Sequence, residues 1–217
     1  MITKLAKLLS ILLHPLLMPT ILFTLLFYVS PTVIEGLSVL NNQTLIGAIS
    51  IKSTLLLLLF IHTFLMPAIS IYFLYRLKVV KSLEMNELED RRIPYLLTVV
   101  IYVAITAFFS LNDNWGHLPE ISLILASITF SLSMVALISL FWKISAHAVG
   151  ISGTVGAMIG IAIRFEESHL FYPILILIVL MGFLISARLH LNAHTPLQVL
   201  AGTLLGLTIS LLAVQFV

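Results

Sequence analysis

Seven apolar runs, each long enough or nearly so to cross a bilayer, leave this chain few folds to choose from. In order they are Leu8–Val29, Ile46–Tyr75, Tyr95–Leu111, Pro119–Trp142, Ile144–Ile163, Phe171–Ala187 and Pro196–Val217. A helix needs about 20 apolar residues to span, fewer or more with tilt. Backbone in hydrocarbon must also satisfy its own hydrogen bonds, which a helix does within one segment. The expected fold is an all-α polytopic transmembrane bundle of six to seven spans, one integral membrane domain over residues 1–217. Composition agrees, since 9% of residues are charged where soluble domains carry about 25%. No polar stretch is long enough to fold alone. His14-Pro15, Pro19 and Pro67 are expected to bend their spans, and Gly150, Gly153, Gly156 and Gly160 to let helices approach closely. Lys4 and Lys7 ahead of an apolar run imitate a signal peptide. The run continues without a small-residue cleavage site, so an anchor that stays is expected.

A formal charge of +2 is too small to indicate a nucleic-acid partner. The absence of Cys excludes disulfides, thiol catalysis and Cys–metal sites. The spans place four polar segments on one face: the N-terminus, Arg76–Pro94, Lys143–His147 and Arg188–His194. That face holds nine of the eleven Lys and Arg, against Lys52 and Arg164 opposite, where Glu35, Asp113, Glu120, Glu166 and Glu167 lie. The positive-inside rule puts the basic face in the cytoplasm.

The segment Ser186–Gly202 sets Arg188, His190 and His194 in a short polar window between two apolar runs. Ionisable side chains at a membrane boundary are costly to desolvate and mark function by default. Arg188 offers a planar fork suited to phosphate. His194 can attack phosphorus or move protons near neutral pH. Arg91-Arg92-Ile93-Pro94 adds two guanidinium groups. Lys143-Ile144-Ser145-Ala146-His147 adds a cation, a hydroxyl, a histidine and the N–H groups of a helix start, which favour an anion. Cations with two histidines make a phosphoryl-transfer site that needs no metal. The cations hold the equatorial oxygens, one His attacks, and the other protonates the leaving oxygen. Two metal-binding arrangements stand beside this one. His190 and His194 have i,i+4 spacing, although an Asn, a Thr and a Pro argue for a loop there. Glu84 and Glu87 could join His147, His190 and His194 in a carboxylate–histidine site, yet those acids read better as the solvated face of an amphipathic loop. His14 and His62 lie within spans and are expected to be satisfied core histidines. His117 and His169 lie opposite and are expected to be solvated.

Arg188, five residues, His194, three residues, Gln198 and then Val199-Leu200-Ala201-Gly202 resembles the third signature of the type 2 phosphatidic acid phosphatase superfamily. Ile144-Ser145-Ala146-His147 is similar to its second signature, Pro-Ser-Gly-His, and Arg91-Arg92-Ile93-Pro94 to a loosened first one. The resemblance runs from about Arg91 to Gly202, the phosphatase-like core (residues 91–202). It implies a membrane-embedded phosphatase of lipid phosphates that needs no metal or other cofactor, and a bacterial inner-membrane location. By the same resemblance His194 is the nucleophile, His147 the acid, and Arg188, Arg91 or Arg92, Lys143 and Ser145 the phosphate-holding groups. Gln198 stands where the family has the Asp that orients the nucleophile. Its amide oxygen can accept the ring N–H but adds no charge. Ala187, Ala146 and Ile144 replace the signature Ser, Gly and Pro, and the first signature's Lys has no counterpart.

Overall fold

A computed structural model of the chain describes residues 1–34, 37, 44–46, 49–85, 87–111 and 118–215. Glu35, Asp113 and His117 lie outside the described residues. Among those described, seven helical segments are long and apolar enough to cross a membrane. The chain is an all-helical integral membrane protein with one short hairpin. The first span, Ile2–Tyr28, is α1 (Ile2–Leu12) and α2 (Met18–Tyr28). The second, Ile51–Arg76, is α3 (Ile51–Phe60), a π-helical stretch (Ile61–Leu65) and α4 (Met66–Arg76). Then follow α5 (Glu89–Leu111), α6 (Pro119–Ile138), α7 (Ala146–Arg164), α8 (Phe171–His190) and α9 (Pro196–Gln215).

Three boundaries differ from the expected ones. The second span starts at Ile51 because Thr44–Ile46 and Ile49–Ser50 pair as antiparallel strands, with Thr44 opposite Ser50. Ser50 Oγ then caps α3 by accepting from Ser53 N. The third span starts at Glu89, so Arg91, Arg92 and Pro94 stand in α5 and not in a loop. Glu89 and Asp90 in its first turn suit the positive end of a helix dipole. The sixth span runs on to His190, which puts Arg188 and His190 in the last turn of α8, where cations suit the negative end.

The prolines act as expected. Pro15 biases His14 to extended backbone, and His14 sits at φ −64°, ψ 137°. Helix α1 therefore ends with Leu13 N on Leu9 O, and the carbonyl of Ser10 keeps no helical partner. Pro67 has no N–H for the carbonyl of Thr63. A π stretch forms there, and Tyr102 Oη donates to Thr63 O at 2.8 Å.

Helix α7 is the most buried of the seven spans and packs most closely on α9. Two glycines make that approach possible. A methyl carbon at Gly156 would stand 2.5 Å from Leu207 O, and one at Gly206 would collide with Val149 O and Ser152 Oγ. Gly206→Ala is therefore expected to destabilise the bundle by ~2 kcal/mol through overpacking, read as a lower unfolding temperature in detergent. Gly182→Ala is the control. Its added methyl meets nothing within 4 Å, so its unfolding temperature is expected to hold or rise. The close α7–α9 pair also sets Gly202 against Ser145, holding the starts of both helices together. Helix α1 lies along α8.

Candidate functional site

Each site residue is placed by local chain chemistry. Helix α8 ends in a Schellman turn. Asn192, at φ 50°, takes the left-handed conformation that Asn tolerates. Its N–H reaches Leu189 O at 3.0 Å, and Ala193 N reaches Arg188 O at 3.1 Å. Thr195 and Gln198 then form a reciprocal capping box at the start of α9. Thr195 N donates to Gln198 Oε1 at 3.0 Å, and Gln198 N donates to Thr195 Oγ1 at 3.4 Å, with Pro196 as the first helical residue. The six-residue step from Arg188 to His194 is one helix end, one turn and one helix start.

Gln198 is thus not the group that orients His194. Its side-chain oxygen is spent on the cap. The ring is held instead by Lys143, whose carbonyl accepts from His194 Nδ1 at 3.2 Å. A carbonyl can only accept, so Nδ1 carries the proton and Nε2 keeps its lone pair. That is the nitrogen a nucleophile needs. His194 is buried. Burial, then the charges of Arg91 and Arg188, push its pKa down to about 4 against the weaker opposing effect of the Lys143 carbonyl. Gln198→Ala is expected to cost ~1 kcal/mol of stability as a lost cap contact, with turnover changed less than about threefold. A loss of a hundredfold in kcat would restore the orienting role to Gln198.

His147, in the first turn of α7, uses the carbonyl freed by the break in the first span. Its Nε2 donates to Ser10 O at 3.0 Å, leaving Nδ1 for proton exchange. Ser10 also accepts from Arg188 Nη1 at its Oγ, 3.3 Å away, while that hydroxyl donates to Ala6 O. One residue of α1 therefore ties Arg188 to His147. Arg188 Nε is buried and has no hydrogen-bond partner. The Arg188 charge bears on the rings of His14, His147 and His194, so all three surround it.

The two arginines of α5 divide. Arg91 is buried, donating from Nε to Met85 O at 2.8 Å and from Nη1 to Ile144 O at 3.2 Å. Arg92 is exposed and only grazes Leu140 O at 3.5 Å, so of the pair Arg91 faces the cluster. Ser145 is fully buried as the N-cap of α7, accepting from Ala148 N at 3.4 Å. It positions the helix instead of standing open to a ligand. Lys143 is half-buried. Burial, then the charge of Arg91, lower its pKa, with Glu87 opposing. His190 is exposed and meets Thr3 Oγ1 at 3.2 Å. Among the described residues no three His, Asp or Glu side chains gather to hold a metal ion. The acidic loop is not uniformly solvated either, since Asp90 is buried and accepts from Lys81 N at 3.2 Å.

His14 joins the site although its place within a span suggests a core residue. It lies edge-on to His147, ring centroids 5.6 Å apart, and its Nδ1 accepts from Leu16 N at 3.3 Å. Ser10 is the second residue that the sequence hides. The signal for both was the His14-Pro15 break. His62 does behave as a satisfied core histidine, its Nδ1 on Leu58 O at 2.8 Å, and His169 is exposed.

The site is therefore a half-buried cluster of cations and neutral imidazoles with two ring nitrogens left for chemistry. Models of protein families, curated proteins and solved structures, each compared with the chain, give no match.

Proposed function

We propose that this cluster binds lipid phosphate and that the chain is a metal-independent phosphatase of a lipid phosphomonoester or pyrophosphate, working through a phosphohistidine at His194. The observation that carries the reading is Arg188. Its Nε is buried without an acceptor, and an unmet buried donor costs about 1–3 kcal/mol, more when charged. An anionic oxygen brought in by a ligand meets that need. Arg91 and Lys143 add cationic charge from the adjoining segments.

In the proposed reaction His194 Nε2 attacks phosphorus. The P–N bond forms as the P–O bond to the lipid breaks. His147, protonated at Nδ1 once the phosphate's negative charge is bound, gives that proton to the leaving oxygen. Water then attacks the phosphohistidine and returns a proton to His147, releasing phosphate and neutral His194. The Lys143 carbonyl stabilises the charged ring by its dipole alone. Neutralising the corresponding carboxylate in a serine-protease triad costs about 10⁴ in rate. That favours a second reading, a binder of lipid phosphate that does not turn it over.

Phosphate release from a panel of lipid phosphates in EDTA separates the readings. Release that survives chelator supports the phosphatase. Binding without release supports the second reading, and loss to chelator alone points to a metal enzyme. The basic face argues for a site on the cytoplasmic side, and the resemblance for a bacterial inner membrane.

The depressed pKa of His194 fixes a pH dependence. A group whose pKa is lowered stays neutral, and nucleophilic, as pH falls until about 4. The acid limb of kcat/KM, which reports the free enzyme's base, is expected near 4 and not near 6.5. It is read after correction for the substrate's second ionisation, near 6.

A further inference from the structure

A lipid phosphate has a chain as well as a head, and the head's cluster adjoins a place for one. Beside it lies a cavity with about 600 Å³ of empty space, its mouth included, between the broken first span and α5, α6, α7 and α9. Pockets that take small molecules run from about 300 to 1,000 Å³. The walls are mainly apolar, with Met18, Leu22, Leu132 and Val135 among them. The cavity meets the cluster at two points of the chain: Pro15, which follows His14, and Ala146, which precedes His147.

One polar atom on that wall is unspent. Ser131 is buried and lines the cavity, and its Oγ has no hydrogen-bond partner. A helix serine with nothing better to do bonds back to the carbonyl four residues earlier. Ser133 does so, donating to Thr129 O at 2.7 Å, and Ser131 does not. Ser131 stands about two turns inside the end of α6 at Ile138. That depth suits an oxygen carried near the head of a lipid chain.

We infer that the cavity receives one hydrocarbon chain of the phosphorylated lipid, and that Ser131 donates to an ester oxygen on it. The inference rests on the lipid-phosphate reading only for the identity of the head. Two observations select a chain over a small soluble phosphate ester. The cavity runs along residues of five spans, where only hydrocarbon is at hand, and an apolar cavity stays dry until such a group fills it. Pro15, Met18 and Leu22 build one wall, so the broken first span supplies both the Ser10 carbonyl at the head and a side of the chain site.

The test titrates the full chain in detergent with ethyl, butyl, hexyl and octyl phosphate and with hexanoyl glycerol phosphate. In the wild type, Kd is expected to tighten by up to about fourfold per methylene. Leu132→Trp fills the cavity from α6 and is expected to erase the gain for hexyl and octyl phosphate while leaving ethyl phosphate unchanged. Retained ethyl phosphate binding shows the fold intact, and Val135→Phe serves if Leu132→Trp fails to fold. Ser131→Ala is expected to weaken hexanoyl glycerol phosphate about fivefold and to leave octyl phosphate alone. Equal chain-length dependence in wild type and both blocked variants overturns the inference, and no effect of Ser131→Ala removes the ester contact. Arg188→Ala keeps the two readings apart. If it weakens every probe alike while blocking changes nothing, the head site stands and the chain site falls. If Arg188→Ala changes nothing while blocking still flattens the series, the head reading falls and the chain site stands.

Discussion

Replacing His194 by alanine is expected to lower kcat/KM for phosphate release by about 10⁴-fold or more, the scale on which enzymes lose a covalent nucleophile. The expectation follows from one hydrogen bond. The Lys143 carbonyl fixes the proton on Nδ1, so Nε2 is the only ring atom able to bond phosphorus. Radiolabelled lipid phosphate, quenched in base, is expected to leave label on the wild-type chain and none on His194→Ala. A paired measurement tests the partner ring. His147→Ala is expected to cost an alkyl phosphate about 10²- to 10⁴-fold, the usual worth of a general acid. It is expected to cost p-nitrophenyl phosphate much less, because nitrophenolate leaves without a proton. Turnover that survives in His194→Ala would place the nucleophile elsewhere. Equal losses for both leaving groups would remove the acid role from His147.

The architecture was legible because hydropathy over 20 residues records the bilayer's thickness directly. The ends of the spans were less so. Arg91 and Arg188 read as loop residues since charge resembles solvent exposure, yet both stand in helical turns, where burial and dipole alignment override polarity. The spacing of Arg188, His147 and His194 pointed to a common site, and the structure brings them round Ser10 and Lys143. What the sequence concealed is held by backbone atoms. The Lys143 and Ser10 carbonyls have no side-chain signature, so Gln198 was the natural candidate for orienting His194. The Thr195-to-Gln198 spacing did carry the capping-box pattern, which competes for the same amide. His14 was hidden for a related reason. A histidine before proline in an apolar run looks like packing, and its nearness to His147 comes from a tertiary contact between α1 and the starts of α7 and α9.

Arg188→Ala is expected to lower kcat/KM by about 10²- to 10³-fold, the range for losing one preorganised donor to a developing oxyanion. Arg188→Lys is the sharper experiment. Lysine keeps the charge, so a merely electrostatic or snorkelling role predicts near-complete recovery. The geometry predicts otherwise. Arg188 holds Ser10 Oγ with Nη1 while Nε stays open, which a planar fork does without moving and an ammonium cannot do from one nitrogen. Lysine must give up either Ser10 or the phosphate, so recovery is expected to stop at about tenfold above alanine. Ser10→Ala separates the two demands. It removes the hydroxyl but keeps the carbonyl on His147, and its cost is expected to stay within about tenfold. Competitive inhibition by inorganic phosphate reports the ground-state share of each loss. If Lys and wild type bind phosphate and turn over alike, Arg188 supplies charge alone and the open Nε has no part in holding the substrate.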